Sequence, residues 1–122
     1  MPDRVAHIEK AKHNETFYAM LGIETSPYKD WVVVGIFYTA LHLIDAYLAT
    51  KNIHPFSHQM RDDWVKKNYE LNSVWLDYRD LKEFRMKASY KLHQFTAQEL
   101  RTDVLPLLES IKKNLLNLQI AI

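Results

Sequence analysis

The stretch Trp31-Val-Val-Val-Gly-Ile-Phe-Tyr-Thr-Ala-Leu-His-Leu-Ile-Asp-Ala-Tyr-Leu-Ala49 decides the fold. At about 100° per residue, Phe37, Ile44 and Leu48 fall on one side and Ile36, Leu43 and Tyr47 on the opposite side. Trp31, Gly35, Tyr38, His42, Asp45 and Ala49 share the stripe between them. A helix apolar on two sides must be covered on two sides. It therefore sits between neighbouring helices or lends one face to a second copy. A membrane span is the other possibility for so apolar a run. Asp45 argues against it, because an unpaired carboxylate costs on the order of 2.5–3.5 kcal/mol on insertion. The expectation is a buried core helix.

The flanking sequence reads as further helices. Val5, Ile8, Ala11, Tyr18 and Leu21 mark an apolar stripe over about Asp3 to Leu21, and Gly22 is a natural stop. Ser26-Pro27 supplies an N-cap and a first-turn proline for the central helix, expected from about Pro27 to Thr50 or Lys51. Asn52 to Phe56 reads as a loop. Ser57 caps a short helix through Lys67, with Met60, Trp64 and Val65 inward. Asn68 to Asn72 interrupts it. A fourth helix, about Ser73 to Leu92, carries Val74, Trp75, Tyr78, Leu81, Arg85 and Ala88 at helical spacing. Thr96-Ala-Gln-Glu99 forms a capping box that opens a last helix to Leu118, which Pro106 should kink or divide.

Composition agrees. Only 2 glycines and 4 prolines occur in 122 residues, too few punctuators for a sheet joined by tight turns. The length suits one domain, residues 1–122, and the 48% hydrophobic content suits a packed core. The expected fold is an all-α, four- to five-helix up-and-down bundle. A formal net charge of +1 excludes a global basic field, so any nucleic-acid contact must rest on a local patch. The absence of cysteine excludes disulfides and thiolate chemistry and fits a cytoplasmic setting. The polar Met-Pro-Asp-Arg start does not read as a signal peptide, and none is expected.

Three constellations carry possible chemistry. Tyr38, His42 and Asp45 project from one helical face, where Asp45 could orient an acid–base imidazole. The same three residues could equally be polar groups satisfying one another beside a core. In His54-Pro-Phe-Ser-His58-Gln-Met-Arg61, His58 and Arg61 share a face at a helix start, a pairing suited to phosphate. A solvated helix start is the plainer reading. His54 and His58 lack the intervening glutamate of a zinc-protease helix, and Pro55 keeps His54 off the helix, so no metal is expected there. Along the fourth helix run Arg79, Lys82, Arg85, Lys87 and Lys91, with Tyr78 and Tyr90 interleaved. That pattern is compatible with RNA, while Asp77, Asp80 and Glu83 equally allow a solvated, internally paired face.

The central segment, the His54–Arg61 segment, Tyr78-Arg-Asp-Leu81 and Ala88-Ser-Tyr90 together resemble a HEPN domain (higher eukaryotes and prokaryotes nucleotide-binding). The resemblance is to small stand-alone prokaryotic members and covers about Pro27 to His93. It implies a dimerising helical bundle acting on RNA in toxin–antitoxin or defence systems, beside a nucleotidyltransferase or antitoxin partner. It further implies metal-independent cleavage by an arginine followed, after four to six residues, by a histidine. The nearest pair here, Arg85 and His93, is separated by seven. The candidate catalytic set is His42, Asp45, His58, Arg61, Arg85 and His93. Histidine would serve as acid–base and Arg61 or Arg85 as phosphate holder. Arg79, Lys82 and Tyr90 are the candidate RNA contacts. No cofactor, metal or membrane is expected, and a homodimer is. The rival reading is a non-catalytic helical interaction or scaffold protein.

Overall fold

The computed structural model describes residues 3–118, and every described regular element is helical. α1 spans Arg4–Leu21, α2 Lys29–Thr50, α3 His58–Lys67 and α4 Asn72–Tyr90. A 3₁₀ turn at Tyr69–Leu71 joins α3 to α4. α5 (Ala97–Glu99) runs through a π-helical stretch, Leu100–Val104, into α6 (Leu105–Asn117). The architecture is an all-α bundle, as expected from the sequence.

α2 is the axis. Phe37, Ile44 and Leu48 on one side and Ile36, Leu43 and Tyr47 on the other are all buried within this one chain. α1, α4 and α6 supply the cover. No second copy is needed to bury α2, so its two-sided apolarity does not by itself call for a dimer. Its length and hydropathy would suit a bilayer, but most of its apolar window is covered by the bundle. α1 approaches closely because Gly35 has no side chain: a Cβ there would stand 3.1 Å from the Tyr18 Cβ. α6 is tied to α1 by Lys112–Glu15 (2.8 Å) and to α4 by Ser110–Asp77 (2.5 Å).

Several local expectations are revised. α2 starts at Lys29, not Pro27, because the Ser26 hydroxyl accepts from the Tyr28 amide (2.9 Å) and holds Ser26–Tyr28 as a turn before the helix. Val5 is half exposed, since the buried stripe of α1 begins at Ile8. α3 turns Arg61 and Val65 inward, leaving Trp64 38% exposed and Met60 only partly covered. The Arg61 ion pair described below fixes that rotation. α4 ends at Tyr90, two residues early. The last helix is divided at Pro106, as expected: a π-helical stretch ends at Val104 and α6 begins at Leu105, with Pro106 in its first turn. The π-register upstream lets the Leu105 amide reach the Leu100 carbonyl, so the missing proline N–H falls in the first turn of α6, where no partner is required.

Candidate functional site

A polar seam crosses the bundle where α1, α2, α3 and α4 meet. Its anchor is Asp45, one helical turn beyond His42 on α2. Ser57 caps α3 by accepting from the Met60 amide (3.1 Å), which starts the helix so that Arg61 faces α2. Arg61 then grips Asp45 with both arms: Nε donates to Oδ1 (2.7 Å) and Nη2 to Oδ2 (2.9 Å). The two side chains are 9% and 5% exposed. Burial pulls the Arg61 pKa down, but the hydrogen bonds and charge of Asp45 outweigh it and leave Arg61 raised. This pair is the principal polar link between α3 and α2.

Around the anchor stand three imidazoles. His58 Nδ1 lies 3.5 Å from Arg61 Nη1. His42 meets His7 of α1, Nδ1 to Nδ1 at 3.1 Å, with ring centroids 5.4 Å apart. Burial, then the charge of His7, pushes His42 down to about 4. Burial also lowers His7, reinforced by Arg61 and opposed by Asp45. His58 is lowered by burial and by the charges of Arg61, Lys82 and Arg85. All three are therefore neutral bases at pH 7. His7, His42 and Asp45 each offer a donor atom, and these atoms all lie within 4.8 Å of one another.

On the α4 side sits Arg85. Its Nη2 donates to the Tyr38 hydroxyl (3.1 Å), and its guanidinium carbon lies 5.8, 5.7 and 5.6 Å from the ring centroids of Phe37, Tyr38 and Tyr90. Among the described residues no carboxylate pairs with it. Four buried side-chain polar atoms find no hydrogen-bond partner among those residues: His54 Nδ1, Asp62 Oδ1, Tyr78 Oη and Arg85 Nε. Such atoms are rare in folded proteins and call for an explanation. All four border this seam.

The other candidates divide. Lys82 is held by Asp62 of α3 (2.5 Å), and Arg79 pairs with its exposed neighbour Asp80 (3.3 Å). Tyr90 is exposed beside Arg85. His93 stands apart. Its Nε2 is 3.0 Å from Glu99, and its ring meets Phe95 edge-on. The Thr96 hydroxyl caps Glu99 as expected (3.0 Å), but the Glu99 carboxylate turns to His93 and does not reach back to Thr96. α4 ends between Arg85 and His93, and no contact joins them. The seam therefore gathers His42, Asp45, His58, Arg61 and Arg85, and leaves His93 out. A groove of about 410 Å³ lies on the outer face of α3, lined by Phe56, Met60 and Trp64 among others. One of about 510 Å³ lies beside His93.

Sequence spacing offered no metal-ligand set. The missing donor was His7, which lies four residues before the fully buried Ala11 and so belongs to the inward side of α1. Comparison with protein-family models, with curated proteins and with solved structures finds no match.

Proposed function

We propose that this chain is a HEPN-like RNA- or nucleotide-binding protein whose contact surface is built from Arg85, Tyr38, Tyr90 and His58. The observation that carries this reading is Arg85, a cation without a carboxylate partner, ringed by three aromatic side chains. A guanidinium in that state offers hydrogen bonds and charge to a phosphate, and the exposed Tyr90 ring offers a face to a base. His58, kept neutral beside three cations, is the group placed to take a proton from a ribose 2′-hydroxyl, while Arg85 would hold the phosphate as charge develops. In this form the protein is a metal-independent endoribonuclease of a toxin–antitoxin or defence system, without the usual arginine-to-histidine spacing. Asp45–Arg61 positions α3, and with it His58.

The test is binding of a fluorescent single-stranded RNA over a salt series in EDTA, followed by a cleavage assay. Affinity should fall with salt at a slope of about −0.7 per phosphate contacted. Arg85→Ala should weaken binding about tenfold or more. His58→Ala should abolish cleavage while leaving binding largely intact. Salt-insensitive binding, or equal behaviour of wild type and Arg85→Ala, would remove the proposal.

A second reading, an interaction or scaffold module, is favoured by a different observation. Phe17, Leu21, Tyr28 and Trp31 line a groove of about 360 Å³ with no polar surface, and Phe17, Tyr28 and Trp31 are all exposed. Exposed apolar patches of this kind mark protein contacts. Stable association with a second copy, or with an antitoxin or nucleotidyltransferase partner, in the absence of RNA binding would favour that reading.

A further inference from the structure

We infer that His7, His42 and Asp45 form a binding site for a divalent first-row transition metal ion of the zinc class. The inference is independent of RNA binding, because it uses a different part of the seam.

The geometry is the starting point. Two imidazole nitrogens bound to one tetrahedral ion, at bonds of about 2.0–2.1 Å, stand roughly 3.3 Å apart. His7 Nδ1 and His42 Nδ1 stand 3.1 Å apart. They come from different helices, 35 positions apart in sequence, so the convergence is set by packing and not by local spacing. The Asp45 carboxylate lies on the same side of α2, one turn along, within the same 4.8 Å cluster. Terminal sp³–sp² torsions are broad, so small turns of the two imidazoles can adjust the cluster while the Arg61 fork holds Asp45.

Asp45 can serve Arg61 and a metal together. A carboxylate has about four lone-pair sites, and the Arg61 fork occupies one on each oxygen. Ligating carboxylates are commonly held from behind by such a partner, which orients them. Two imidazoles with one carboxylate favour zinc-class ions over Mg²⁺ or Ca²⁺, which prefer all-oxygen sets.

The alternative is that His7 and His42 simply share a hydrogen bond, one nitrogen donating and the other accepting. The full chain, stripped with EDTA, distinguishes the two. Isothermal titration with Zn²⁺ should show one equivalent bound, and Co²⁺ should give the intense visible absorption of a four-coordinate site. Mg²⁺ should give neither. His7→Gln and His42→Gln should each lose tenfold or more in affinity, and His13→Gln, on the exposed face of α1, should bind as wild type does. Circular dichroism of each variant confirms that it is folded. Should His42→Gln unfold, His7→Gln, at a partly buried position, still decides the question. No Zn²⁺ heat and no Co²⁺ band for the wild-type chain would overturn the site, as would equal affinity in His7→Gln.

Discussion

Breaking the Asp45–Arg61 pair is the sharpest test of how this bundle is held together. Both partners are almost fully buried and joined by two short hydrogen bonds, 2.7 and 2.9 Å. Removing one partner leaves the other as an unpaired charge in the interior, which costs about 3–5 kcal/mol. A domain of this size has only about 5–15 kcal/mol in total. Arg61→Met or Asp45→Leu should therefore lower Tm by roughly 10–20 °C. The double variant Asp45→Leu/Arg61→Met removes both charges and the desolvation they carry, so it should be more stable than either single variant. Urea unfolding followed by circular dichroism, in EDTA, measures all four proteins on one scale. A large favourable coupling between the two positions is the expected outcome. If either single variant costs less than about 1 kcal/mol, or the double variant loses the sum of both, the pair is not the link between α2 and α3.

Two further predictions come from other parts of the chain. His58 should titrate in the folded protein with a midpoint below 6.5, followed by NMR of its imidazole protons, and Arg85→Gln should move that midpoint upward. The sign follows from linkage: with the folded pKa depressed, the unfolded chain takes up the proton first, so lowering pH below about 6.5 removes stability, and a midpoint at or above 6.5 contradicts the geometry. Gly35→Leu should cost about 1–3 kcal/mol in a denaturant titration, because the added side chain meets the Tyr18 Cβ at once and α1 must move off α2; an unchanged midpoint would mean that the two helices are not so closely packed.

The sequence was most informative where a local signal had a local cause. The N-cap hydroxyls of Ser57 and Thr96 and the stop at Gly22 behave as their chemistry dictates, since each acts on amides or dihedrals within a few residues. The core faces of α2 were legible because its apolar residues are too numerous to point anywhere else. The rotation of α3 was not legible. Hydrophobicity alone would bury Trp64, but a buried bidentate ion pair to a partner 16 positions away centres the inward face of the helix on Arg61 and Val65, which leaves Trp64 at its edge. The Arg85–His93 pairing fails for a similar reason. Counting residues along a helix has no meaning once the helix ends at Tyr90 and Glu99 has captured the imidazole.

The site itself was half visible for a physical reason that also limits what it can do. Tyr38, His42 and Asp45 were placed on one stripe by helical spacing, but what each faces depends on which helix packs there. α3 brings Arg61 to Asp45, α4 brings Arg85 to Tyr38, and α1 brings His7 to His42. One stripe is thus shared among three neighbours, and the charge of Asp45 reaches His7, His42 and Arg61 alike. With Arg61 charged, that carboxylate is already neutralised, so a divalent ion bound beside it would leave the seam positively charged. Electroneutrality then favours an anionic group close by. The phosphate contact proposed at Arg85 and the metal proposed at His7 and His42 are separable by experiment, because the first rests on a cation without a carboxylate partner and the second on two converging imidazole nitrogens.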